Sequence, residues 1–117
     1  MTDTPTTVAE RYFAAWRARD MDTYRALLAN DADFAGPMGK AHGAEDCVEG
    51  MRGLASMTTD VVVHKMIGDD TDVVTWFELH TADAPPCPVA NWTHVEDGKI
   101  TRIRVTFDPR PLLPPAR

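Results

Sequence analysis

The amino-acid sequence predicts an α+β domain in which three N-terminal helices pack on one face of a curved, mostly antiparallel sheet. Helix-spaced apolar residues fill the first half, and from Thr58 onward the texture turns to β-branched and aromatic runs. Near the C-terminus, Asp97-Gly98 lies between two such runs, the strongest short hairpin signal in the chain. With 117 residues and 44% apolar residues, the chain reads as one domain over residues 1–117, large enough to bury a core without disulfides or metal.

Thr7-Val8-Ala9-Glu10 has the form of a capping box, so the first helix is expected to start there and run to about Arg19. Val8, Tyr12, Ala15 and Trp16 form its buried stripe, and Glu10, Arg11 and Arg17 its wet side. Asp20-Met21-Asp22 carries N-cap residues, and Met21, Tyr24, Leu27 and Leu28 restart the pattern as a shorter second helix. A short strand over Ala32 to Ala35 follows, then a loop at Gly36-Pro37-Met38-Gly39. Glu45 and Asp46 suit the positive end of a third helix with Val48, Met51 and Leu54 on its stripe. Gly50 and Gly53 cost it about 1 kcal/mol each relative to Ala, so it is expected to be short and mobile.

Gly68-Asp69-Asp70, the segment from Asp83 to Pro88, and Glu96-Asp97-Gly98 divide the remainder into four strands joined by hairpins. The proline-rich end, residues 110–117, reads as a surface tail, and its Pro111-Leu112-Leu113-Pro114 spacing as part of that tail rather than a polyproline ligand.

Composition excludes several function classes. A net charge of −6 argues against nucleic acid, which demands a concentrated basic surface, and Arg102 and Arg104 read as a solvated strand face. No stretch approaches the roughly 20 consecutive apolar residues of a membrane helix, and the first residues lack a secretory pattern. Cys47 and Cys87 are too far apart for a zinc knuckle or a redox pair and read as free thiols, so a cytoplasmic location is expected. His42 and His64 have no partner at metal-ligand spacing, and Asp69-Asp70-Thr71-Asp72 lacks the glycine and distal glutamate of a calcium loop. No phosphate loop, nucleophile elbow or dinucleotide fingerprint occurs, so neither metal nor cofactor is expected.

The opening Ala9-Glu10-Arg11-Tyr12-Phe13-Ala14-Ala15-Trp16 with Asp20-Met21-Asp22, and the closing Glu96-Asp97-Gly98-Lys99-Ile100 leading to Phe107-Asp108-Pro109, resemble nuclear transport factor 2-like proteins. Arg11 to Ala15, Ala26-Leu27-Leu28-Ala29-Asn30-Asp31-Ala32 and Gly36-Pro37-Met38-Gly39 are similar in order and spacing to bacterial ketosteroid isomerases and their SnoaL-type relatives. The resemblance implies a cone-shaped, cystatin-like roll around an apolar pocket. Isomerases of this kind move a proton with a carboxylate base while a tyrosine and a protonated aspartic acid stabilise the dienolate oxygen.

On that resemblance Tyr12 falls at the oxyanion tyrosine and Asn91 near the protonated acid, where an amide can still donate. Gly36 stands where the base aspartate would be, so the carboxylate is missing. Asp108, at the end of the last strand, is the leading replacement, because SnoaL-type cyclases use an aspartate from that end of the sheet. Strand alternation opposes it: if Phe107 faces the pocket, Asp108 faces away and serves as a bridge or turn cap. His94 has the parity opposite to Asn91, and with Glu78 and His80 it is expected on the outer face. Tyr12 and Trp16 fit core and pocket equally. Trp16, Phe34, Met38, Met51, Leu54, Phe77, Val105 and Phe107 are the expected apolar walls.

Two functions follow as expectations. The first is a cofactor-free isomerase- or cyclase-like acid–base catalyst on a small apolar carbonyl compound, with Tyr12 and Asn91 as donors and Asp108 as base. The second is a noncatalytic binder or dimerisation module of the same shape. Trp76 and Trp92 have the parity opposite to Phe77 and Asn91, so a homodimer through the outer face is also expected.

Overall fold

The computed structural model describes residues 3–113. Its elements run α1 (Pro5–Ala18), α2 (Met21–Ala26), β1 (Leu28–Gly36), β2 (Gly39–His42), α3 (Ala44–Met57), β3 (Thr58–Gly68), β4 (Asp72–Thr81), β5 (Ala84–Glu96), β6 (Lys99–Thr106) and a single 3-10 turn, Arg110–Leu112. The six strands form one sheet in the order β2-β1-β6-β5-β4-β3. β1 and β6 are parallel and the other neighbours antiparallel.

α1 starts one turn before the Thr7 capping box. Thr4 is the N-cap, its hydroxyl oxygen accepting from the Thr7 amide at 3.2 Å, and Pro5 fits the first helical position because its φ is already helical and its missing N–H has no use there. α1 ends where Arg19 turns left-handed at φ 55°. Arg19 holds that strained position with two bonds to α3's end: Nε donates to the Ala55 carbonyl at 3.1 Å and a terminal nitrogen to the Thr58 carbonyl at 2.8 Å. Asp20 then caps α2 by accepting from the Thr23 amide at 3.1 Å.

α3 has 14 residues and is not short. Cys47, Val48, Met51 and Ala55 bury one side of it, whereas Gly50 and Gly53 lie exposed and leave that stripe intact. Tertiary burial here outweighs the propensity penalty, as it does for most helices in proteins.

Gly36-Pro37-Met38-Gly39 is no simple loop: Pro37 and Met38 turn β1 into β2, with Gly36 paired to Gly39. The chain also returns to strand at Ala84, so Pro85, Pro86 and Pro88 belong to β5 rather than to a long connection. That stretch has β4 on one side, while β6 pairs only from Ala90 onward. A strand with one neighbour tolerates a missing N–H. Asp97 and Gly98 turn with φ 52° and 76°, the two positive values that a tight type I′ hairpin requires.

Five register shifts, at Leu28/Asp33, Thr58/Asp60, Val63/Lys65, Leu79/Thr81 and His94/Val95, interrupt the ladders. Such irregularities bend strands and raise twist, which curls the sheet around α1 and α3. Val73, Thr75, Phe77 and Leu79 on β4, and Cys87, Val89, Asn91, Thr93 and Val95 on β5, are buried on the concave side. The strict alternation sends Trp76 and Trp92 outward.

Candidate functional site

Helical spacing sets the aromatic wall. Tyr12 and Trp16, four residues apart, share a side of α1, and Phe13 stands beside them. The Phe13 and Trp16 rings meet Phe77 of β4 edge-on, with centroids 5.0 and 5.5 Å away. The Trp16 indole N–H donates to the Thr58 hydroxyl oxygen at 3.1 Å, and that hydroxyl donates to the Leu54 carbonyl at 2.7 Å. Trp16 therefore needs no polar partner from outside the chain.

Between this wall, α3 and the concave sheet lies a cavity of about 340 Å³. Tyr12, Asn91, Trp16, Phe34, Met38, Met51, Leu54, Phe77, Val105 and Phe107 all line it. Tyr24, Cys47, Met57, Leu79, Val89 and Leu112 line it as well, although sequence reasoning did not include them. Tyr24 carried a usable signal, since a tyrosine on a buried stripe must aim its hydroxyl at something polar. Arg110, Pro111 and Leu113 lie exposed at the surface, while Leu112, in the 3-10 turn Arg110–Leu112, lines the cavity. Pro114 to Arg117, and with them the end of the P-x-x-P segment, lie outside the described residues.

Polar groups gather at one place in the cavity. Burial pushes the Tyr12 phenol up to about 12, while the neighbouring side chains of Asn91 and Tyr24 pull in the opposite direction. Tyr24 is raised well above its ordinary value, first by burial and then by Tyr12; their ring centroids are 5.3 Å apart. Burial likewise lifts the Cys47 thiol to about 11. All three are therefore neutral at physiological pH. Asn91 is 1% exposed, and its side-chain oxygen has no hydrogen-bond partner among the described residues.

Gly36 borders the cavity and brings no functional group. Asp108 does not border it. Its carboxylate faces solvent and holds Arg110, accepting from Nε at 2.9 Å, from a terminal nitrogen at 2.8 Å and from the backbone amide at 3.1 Å. The Arg110 bonds hold Asp108 down at about 2, which leaves a weak base in a turn cap. Lys40 touches the rim, but it pairs with Ala35 while its neighbour Ala41 pairs with the cavity residue Phe34. Paired residues share a face, so the Lys40 side chain belongs to the opposite side of the sheet. Among the described residues no carboxylate side chain lines the cavity.

The outer face holds the remaining candidates. His94 Nδ1 is 2.9 Å from an Asp72 carboxylate oxygen, to which the Trp92 indole also donates at 2.7 Å. His80 and His64 flank Glu78 at 3.0 and 3.2 Å. Trp76 and Trp92 remain 49% and 42% exposed.

A family profile described as SnoaL-like domain matches residues 9–103. No curated protein matches the chain in sequence. Among solved structures, a protein from Kribbella flavida DSM 17836 is 28% identical with a TM-score of 0.89, over 93% of this chain and 90% of that one. A second Kribbella flavida protein, provisionally named a ketosteroid isomerase, is 22% identical with a TM-score of 0.82, over 100% of this chain and 88% of that one. An LEH-like epoxide hydrolase from M. tuberculosis is also 22% identical, with a TM-score of 0.78, over 92% and 84%. Different activities thus sit on one shape, and likeness at this level carries the fold alone. Since the profile covers most of its length, the chain belongs to the SnoaL-like domain family, within the nuclear transport factor 2-like superfamily.

Proposed function

We propose that this protein binds a small, neutral, apolar compound in the cone and polarises its oxygen function with Tyr12 and Asn91. One observation carries the reading: apolar walls enclose polar side chains that are all neutral and converge on Tyr12. An ion would lose its hydration there without a counter-charge, which costs several kcal/mol. A neutral ligand loses little and gains burial at about 25 cal/mol per Å².

The catalytic form of this reading is isomerase- or cyclase-like, without a cofactor, on a carbonyl compound. Neutral Tyr12 favours it, because only the protonated phenol donates to a developing oxyanion. Against it stand Gly36 and the solvent-facing Asp108. General-base transfer typically contributes about 10²–10⁴-fold, so binding is the primary reading and proton transfer the secondary one. A melting screen tests it: neutral ketones and alcohols raise Tm, and matched carboxylates and amines do not. Stabilisation by charged compounds alone would overturn the reading.

The outer face supports a homodimer, since Val74, Trp76 and Trp92 form an exposed apolar group at 51%, 49% and 42%. Sedimentation at micromolar concentration is expected to give a dimer that Trp76→Glu dissociates, and a monomeric parent would refute it. A reducing, cytoplasmic location is consistent with the free thiols of Cys47 and Cys87. No helix among the described residues is long and apolar enough to cross a membrane.

A further inference from the structure

The sulfur atoms around the cavity divide by depth, and the division marks its mouth as a modification site. Tyr12, Trp16 and Phe77 line the cavity and are buried, whereas Met38, Gly39, Gly50 and Met57 line it and are exposed. The mouth therefore lies between the β1–β2 turn, which carries Met38, and the outer side of α3, which ends at Met57. Met38 is 53% exposed and Met57 42%, while Met51, further back on α3, is only 6% exposed. Met21 and Met66 are half-buried and do not border the cavity. Two thioethers from separate elements thus share one lip and one contact with water.

Sulfur chemistry ranks these groups. A thiol reacts with peroxide as its thiolate, so both access and ionisation control it. Cys47 and Cys87 are buried, and burial pushes both thiols up, Cys47 to about 11, which suppresses the thiolate near neutral pH. A thioether has no proton to lose and depends on access alone, which favours Met38 and Met57. In the step, the sulfur takes one oxygen from a hydroperoxide: the S–O bond forms as the O–O bond breaks, sulfur is oxidised by two electrons, and the departing oxygen takes the proton and leaves as water or an alcohol. The product sulfoxide is polar where the thioether was apolar. An apolar ligand seated against that lip loses the contact. Given that the cone binds a small apolar molecule as proposed above, we infer that Met38 and Met57 are the oxidant-sensitive sulfurs of this chain, and that their conversion to sulfoxides by a hydroperoxide weakens the cavity's hold on its ligand.

The test treats the full chain with hydrogen peroxide, maps the added oxygen by peptide mass, and follows naphthalene binding through the Trp16 indole N–H resonance. Met38 and Met57 are expected to gain oxygen before Met21, Met66 and Met51, and before either cysteine. Naphthalene affinity should then fall about fivefold, the equivalent of losing about 40 Å² of apolar contact. Methionine sulfoxide reductases for both epimers should restore it. In the double variant Met38→Leu, Met57→Leu, the ratio of affinities before and after peroxide should stay close to one, whatever its starting affinity. Oxidation that reaches Met51 or a cysteine first, full oxidation of Met38 and Met57 with affinity unchanged, or unfolding of the chain at that stage would overturn the inference and leave the binding cavity standing. An equal loss in the double variant would overturn it too. Should the double variant fail to fold, the oxidation order and the reductase rescue in the parent decide. If the untreated protein binds no naphthalene, the cavity reading fails and the effect on binding fails with it, while the order of oxidation still decides the modification site.

Discussion

Gly36 and Val105 approach so closely at the cavity wall that a Cβ placed on Gly36 would lie 2.5 Å from a Val105 methyl carbon. The next contacts are to the Phe34 ring at 3.4 and 3.6 Å. Val105 is β-branched and stiff at χ1, so it does not swing aside cheaply. The position that ketosteroid isomerases would fill with a carboxylate is therefore closed by packing as well as by residue type.

Installing the base consequently takes two changes. Gly36→Asp alone is expected to lower stability by about 1–3 kcal/mol through overpacking, and Val105→Ala in the same chain to recover part of it. The double variant, not the single one, should then isomerise a β,γ-unsaturated ketone, about 10–100-fold above the parent once misplacement is allowed for. Adding Tyr12→Phe should remove most of the gain. A Gly36→Asp protein as stable as the parent in urea would contradict the close approach.

Tyr12 also links stability to alkaline pH. Its folded value of about 12 lies above the ordinary 10.0, so the neutral form is the one the fold favours. This contribution is complete below pH 10 and is lost as pH rises toward 12, since the unfolded chain then binds fewer protons than the folded one. The loss amounts to roughly 2–3 kcal/mol. Urea titrations between pH 9 and 12 should show parent stability falling more steeply than that of Tyr12→Phe; parallel curves would contradict the burial of this phenol.

Arg19 tests the joint between α1 and α3. Its αL backbone and its two bonds to the Ala55 and Thr58 carbonyls act together. Arg19→Ala keeps the strain and loses the bonds, at an expected cost of about 1–3 kcal/mol. Arg19→Gly loses the bonds but relieves the strain, so it should be the more stable of the two in thermal melts. The reverse order would contradict the strain assigned to the left-handed backbone at Arg19, since both variants lack the side chain's bonds.

Much of the fold was legible because local and global signals agreed. Asp20 as a cap, the α1 stripe of Val8, Tyr12, Ala15 and Trp16, and the Asp97-Gly98 turn all sit where their chemistry points. β2 escaped because Gly36-Pro37-Met38-Gly39 carries only turn residues, and a four-residue edge strand is defined by its partner rather than its own propensity. The prolines of β5 hid a strand for a similar reason: their tolerance depends on β6 being absent beside them, which is a tertiary fact. Alternation alone suggested that Asp108 turns away from Phe107. Its engagement with Arg110 was not legible, because it forms in the 3-10 turn that follows.

The three tryptophans provide the most direct test of cavity binding. Trp16 lines the cavity, whereas Trp76 and Trp92 lie on the outer face of the sheet. In a two-dimensional NMR titration with a neutral apolar compound, the Trp16 indole N–H, which donates to Thr58, should shift in a saturable way while the Trp76 and Trp92 resonances stay in place. Saturable shifts confined to Trp76 and Trp92 would locate binding on the outer face and contradict the account.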